Sequence, residues 1–98
     1  QDKRGIQGKR IYTNGLMDIL VKPLENKELA LCFLNKSSEE KEMEIPFQRL
    51  HNEPYVDLPL AKEFIVKNLW ENEEFKESKL IKASVPPHGV KVYRIKGI

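Results

Sequence analysis

Apolar residues along the chain rarely recur at helical spacing, whereas two-residue alternation and short apolar runs return every ten to fifteen residues or so. That rhythm belongs to strands with one buried face. It predicts an all-β fold, a two-sheet antiparallel β-sandwich of about seven to eight strands. The first clear strand is expected over residues 16–22 (LMDILVK), stopped by Pro23, which has no N–H for a central ladder. LENKEL then reads as a hairpin loop in which Asn26 suits a positive φ. The next strand, Glu28 to Asn35, is apolar at every position from Leu29 to Leu34 and is expected to be central and covered on both faces.

After the polar segment NKSSEEKE, the residues Met43, Ile45 and Phe47 alternate with Glu42, Glu44 and Pro46, the pattern of an edge-like strand whose proline and glutamates discourage further pairing. From Gln48 to Lys62 the pattern weakens into a connection with Pro54 and Pro59, long enough to change sheets or to hold one helical turn. EFIVKNLW (63–70) predicts a strand ending on the only tryptophan, and ENEEFKESK predicts a charged loop. LIKASV (80–85) and GVKVYRI (89–95) complete the set, with a short strand around Lys9 to Tyr12.

Ninety-eight residues, 40% of them hydrophobic, suffice for one core but not for two ordinary domains. With 17 basic and 15 acidic residues the net charge is only +2, so neither nucleic acid nor an anionic membrane is an expected partner. The longest apolar run, LALCFL, is far too short to span a bilayer, and the start of the chain has no signal-peptide pattern. The chain opens on Gln1, which points to a piece of something longer.

Candidate chemistry is sparse. Cys32, the single cysteine, sits in an apolar run without a neighbour that would stabilise a thiolate, and is expected to act as a small buried hydrophobe. His51 and His88 lie in proline-flanked connections with no second ligand at metal-binding spacing, so no metal or other cofactor is expected. Ser84, His88 and Asp57 could be imagined as a triad, yet no strained elbow presents the serine. The glutamates fall into two runs, Glu39, Glu40, Glu42 and Glu44, then Glu71, Glu73 and Glu74. Both are expected on solvated faces, where nothing apolar would raise a pKa toward that of a general acid. Asp18, among apolar neighbours, reads as an outward position of its strand. Gly5 and Gly8 lack phosphate-loop spacing and read as turn residues. Tyr55, Phe64, Trp70, Phe75 and Tyr93 are chiefly core material, with Trp70, Tyr55 and Tyr93 the candidates for a sugar-stacking platform.

Four segments, QDKRGIQGKRI, ILVKPLENKELALCFLNKS, FIVKNLW and ASVPPHGVKVYRI, together resemble the C-terminal β-sandwich domain of alpha-galactosidases, the melibiase family of glycoside hydrolases. Gln1, Asp2, Gly5, Gln7 and Gly8 resemble the connection by which a catalytic barrel enters the sandwich. Lys22, Pro23 and Leu24 with ALCFLN resemble its first hairpin, ending on the family's asparagine at Asn35. Leu69 and Trp70 resemble the Asp-Leu-Trp end of a later strand, and Val85 to Gly89 the turn before the last one. Lys3, Arg4 and Asn68 depart from the pattern, as does the lack of an aromatic near Ile19, which leaves galactose and N-acetylgalactosamine both open as the parent's sugar.

The resemblance implies that residues 1–12 are the linker and first strand following a catalytic barrel and that residues 13–98 are the sandwich. In that family two catalytic aspartates, a nucleophile and an acid/base of a retaining mechanism, belong to the N-terminal barrel. The chain is therefore expected to be a non-catalytic accessory domain, whose partners are that barrel and, secondarily, further subunits of a homo-oligomer. A carbohydrate-binding module is the alternative. Pro86, Pro87, His88 and Gly89 are expected to form a structural turn, with the His88 imidazole bonded to nearby backbone. A surface normally covered by the barrel should appear as an apolar patch.

Overall fold

Period-two alternation sorts the strands into two layers of very unequal size. The computed structural model describes residues 8–56 and 58–98. In chain order the elements are β1 (Lys9–Thr13), β2 (Met17–Pro23), β3 (Leu29–Asn35), β4 (Lys41–Pro46), α1 (Phe47–His51), β5 (Phe64–Asn68), β6 (Glu73–Glu77), β7 (Leu80–Val85) and β8 (Val90–Gly97). Six strands form one sheet in the order β1-β2-β3-β8-β5-β6, and β4 pairs with β7 in the second. Every pairing among the described residues is antiparallel.

The β2–β3 hairpin closes through Asn26 and Lys27, with φ of 63° and 64°, and the Glu28 N–H bonds Glu25 O. Two central residues in the left-handed region give a turn whose twist matches that of the flanking strands, which is why an asparagine in this loop was informative.

Directly opposed residues of an antiparallel pair share a face. The registers Ile19 with Phe33, Val21 with Leu31, Leu31 with Tyr93 and Val66 with Ile95 therefore define one continuous inner surface. Against it the small sheet presents Met43, Ile45, Ile81 and Val85, all buried. α1 extends this lid: Phe47 stacks on Phe64 with ring centroids 4.1 Å apart, and Leu50, three residues on, is fully buried. Fully burying one such side chain contributes about 1.5–3 kcal/mol.

Three expectations change. Residues 73–77 are strand β6 rather than part of a charged loop. Four of its five residues are charged, but Phe75 pairs opposite Val66 and meets Tyr93 edge-on at 6.3 Å, and that single inward ring anchors an otherwise solvated edge strand. β5 ends at Asn68, so Trp70 stands in the following turn. Finally, β3 is covered on one face only among the described residues. Ala30, Cys32 and Leu34 alternate with its fully buried residues and remain half-exposed, because the small sheet lies entirely on the other side.

Candidate functional site

The most elaborate polar arrangement in the chain converges on Asn35, which is fully buried at the end of β3. Its Nδ2 donates to the backbone oxygens of Glu39 (2.8 Å), Val85 (2.9 Å) and Pro86 (3.1 Å), so two hydrogens serve three acceptors and one is shared. Its Oδ1 accepts from the Ser37 N–H and the Ser37 hydroxyl. One amide thus joins the β3–β4 loop to the β7–β8 connection, filling its donor and acceptor capacity without water.

The β7–β8 connection is a turn in which the Gly89 N–H bonds Pro86 O at 3.0 Å, with Pro87 and His88 in the central positions. His88 has φ of 53°, so the left-handed position of the turn is held by the histidine rather than by the glycine. Gly89 is needed for a different reason: a Cβ there would lie 2.7 Å from the Pro86 ring and 2.9 Å from Pro86 O. The His88 N–H donates to Ser37 O. Its imidazole is exposed and, among the described residues, has no hydrogen bond, in place of the expected imidazole-to-backbone contact.

The other polar candidates do not assemble. His51 sits beyond the Pro46 end of the small sheet and His88 beyond its Val85 end, so six paired residues separate them, about 20 Å of strand. The His51 Nδ1 lies 2.8 Å from Leu58 O and donates to it. Ser84 faces outward opposite Glu42, while Asp57 lies outside the described residues. So do Gln1, Asp2, Gly5 and Gln7; Gly8 is exposed just before β1. Glu39, Glu40, Glu42, Glu44, Glu71, Glu73 and Glu74 are all exposed. Among the described residues no three His, Cys, Asp or Glu side chains converge.

Among the described residues two carboxylates are buried instead. Asp18 is on the outward face of the large sheet, with its Oδ2 3.3 Å from Lys36 Nζ and 3.7 Å from Arg10. A hydrogen bond from the Thr13 side chain, ahead of the charges of Lys36 and Arg10, holds its pKa below the ordinary value against a smaller opposing effect of burial. Glu53, which had no signal in the weakly patterned connection, is bound by Arg49 at 3.1 Å and by Lys9 at 3.3 Å. The Arg49 bond is the main cause of its lowered pKa. Only the i,i+4 spacing of Arg49 and Glu53 could have hinted at this; Lys9 comes from β1.

Depressed carboxyl pKa values stabilise the folded chain wherever the groups are ionised, so this contribution is whole above a pH of about 4–4.5 and is lost as pH falls through the lower folded values. Unfolding midpoints in urea at pH 7 and pH 3 should therefore drop with acid. The drop should be smaller in the D18N/E53Q double variant.

The aromatic candidates differ sharply in exposure. Tyr93 is 3% exposed, packed edge-on against Phe33 at 6.0 Å and against Phe75, with no face left for a sugar. Tyr55 is half-buried, packed on the core with Lys9 Nζ 5.6 Å from its ring centre. Trp70 is 65% exposed. Its presentation is fixed by buried Asn68, whose Oδ1 accepts the Trp70 and Glu71 N–H groups at 3.0 Å. Cys32 is half-buried, and desolvation raises its pKa, the opposite of an activated nucleophile.

Comparison with known proteins adds a family. Residues 14–95 match the model described as the alpha galactosidase C-terminal beta sandwich domain. Alpha-galactosidase A of Cellvibrio japonicus is 31% identical across 97% of the chain, which spans 24% of that relative. An alpha-galactosidase of Oryza sativa is 28% identical across 95% of the chain, here 21% of the relative's length. Alpha-galactosidase I from Mortierella vinacea superposes on 99% of the chain with a TM-score of 0.83 and 22% identity, the match covering 25% of that structure. With the two-sheet antiparallel architecture already described, these matches establish that the chain belongs to the family of alpha-galactosidase C-terminal β-sandwich domains.

Proposed function

We propose that this chain is a non-catalytic accessory domain of a retaining, alpha-galactosidase-like glycoside hydrolase. It packs against an N-terminal (β/α) barrel that carries two catalytic carboxylates, hydrolyses terminal alpha-galactosides, and is stabilised by the contact. Residues 1–12 serve as the junction between the two. The observation that carries this reading is the family match over residues 14–95 in relatives about four to five times as long.

The placement of the acids supports it as well. Glycoside hydrolysis needs a carboxyl group with a raised pKa facing a second one across a cleft. Here Glu42 and Glu44 are exposed on an outward strand face with Lys82 Nζ 3.6 Å from Glu42, while hydrogen bonds, chiefly from Thr13 to Asp18 and from Arg49 to Glu53, hold the two buried carboxyls below their ordinary pKa. A sugar platform built on Tyr55, Trp70 and Tyr93 is disfavoured because Tyr93 is buried and Tyr55 half-buried, which leaves Trp70 alone widely exposed.

A stabilising role separates from a catalytic one in the intact polypeptide. Damage to the sandwich by Asn35→Asp should lower the temperature of irreversible inactivation, while the kcat of the surviving enzyme on an aryl alpha-galactoside stays within about twofold. A large fall in kcat at unchanged thermal stability would contradict the proposal.

A further inference from the structure

The two outward faces of the sandwich differ in a way that a free-standing domain does not require. On the small sheet the outward pairs are Glu42 with Ser84 and Glu44 with Lys82, a solvated surface. The outward positions of β5 and β6 are similar, with Lys67 opposite Glu74. On β2, β3 and β8, by contrast, Leu20, Cys32 and Val92 form one outward row, and Leu34 with Val90 lies in the row beside it. All are half-exposed with no element over them among the described residues.

The stripe continues beyond the strands. Leu69 donates its N–H to Val92 O, which sets it at the end of the Cys32 row, 45% exposed, with Trp70 next to it. Leu16, 51% exposed, accepts the Lys36 N–H and so stands at the same end of the sheet. At the border sits Asp18 with Arg10 and Lys36, and its Oδ1 is buried without a hydrogen-bond partner among the described residues. An apolar centre with a tryptophan anchor and a charged rim is the composition of a protein interface.

We propose that this outward face of β2, β3 and β8 is where the N-terminal domain of the same polypeptide docks, an inference that rests on the accessory-domain reading above. The occupant is chosen because the matched family is a C-terminal domain, and about three quarters of each relative's length lies outside the match. A face apolar on its outer side is then the second buried side of a central sheet, as sheets covered on both faces require.

Cys32, in the middle of the stripe and the only cysteine of the 98 residues, is the reporter. In the intact polypeptide, alkylation by N-ethylmaleimide is followed by mass spectrometry of the peptide that contains it. The native protein should react on the order of a hundredfold more slowly than the urea-unfolded protein. Val92→Lys should restore at least tenfold of the native rate, and Glu44→Lys on the opposite outer face should not. Rapid native alkylation of Cys32, with protection of the Glu44 face from limited proteolysis, would overturn the assignment of the face and leave the accessory-domain reading intact. Protection of Cys32 that vanishes on dilution, as the mass halves, would assign the face to a second copy instead. Two domains that separate on proteolysis without any protected surface would sink both proposals.

Discussion

Asn35→Asp is expected to unfold this domain or come close to it. The change is isosteric, yet it replaces the amide nitrogen that faces Glu39 O, Val85 O and Pro86 O with an oxygen that cannot donate to them. At neutral pH the introduced carboxylate would be buried against three carbonyl oxygens, at a cost of about 4 kcal/mol. In a domain of this size that corresponds to a fall in Tm of roughly 20 °C. The pH dependence supplies a signature. Carbonyl oxygens and burial both raise the folded-state pKa of the new group, so the penalty is complete above that value and is relieved as acid restores a proton able to donate. Thermal unfolding of the variant at pH 7 and pH 4.5 should therefore show a deficit that shrinks with acid. An Asn35→Asp variant as stable as the parent at pH 7 would remove Asn35 from its place as the organising residue of this end of the sandwich.

Gly89→Ala comes second, with an expected loss of about 2–3 kcal/mol. The new methyl group would meet a proline ring at 2.7 Å and a backbone oxygen at 2.9 Å, neither of which can swing aside as a flexible side chain would. The Pro86 oxygen it would displace accepts from both the Gly89 N–H and Asn35 Nδ2, and Gly89 O accepts the Asn35 N–H. The two positions are therefore coupled. Urea denaturation of Gly89→Ala, Asn35→Ala and the double variant should give a combined loss smaller than the sum of the single losses. Strict additivity would show that the glycine is confined for some other reason.

The strands that bury one face were legible because alternation is a local property. β2, β4 and β7 follow it within a residue or two, and the hairpin asparagine and the proline-rich turn mark their own positions. What escaped depends on partners distant in sequence. β6 looks like a polar loop because its only apolar side chain is Phe75, whose contacts with Val66 and Tyr93 exist only after the sheet has formed. Glu53 is buried because Lys9 and Arg49 meet over it, a juxtaposition that the pattern between Gln48 and Lys62 cannot announce.

The β3 run is the more instructive case. Its outward Ala30, Cys32 and Leu34 are apolar like the outward residues of a strand buried on both sides, yet the described residues cover only one side. Composition recorded that the face is apolar, and on the docking proposed above its cover would come from another part of the polypeptide. The aromatic candidates show the same limit in reverse: Tyr93 and Trp70 are equally good sugar-stacking residues on paper, and only the fold buries one and exposes the other. For Asn35, the family resemblance drew attention to a position whose importance lies in its five hydrogen-bonding contacts rather than in any chemistry on a substrate.

The central claim is that hydrolysis resides outside these 98 residues. Its most direct test is an assay of the purified chain, shown to be folded by a cooperative unfolding transition, on an aryl alpha-galactoside. Release of the phenol should not exceed that of a buffer control, and turnover that disappears when a carboxylate of this chain is replaced by its amide would contradict the account.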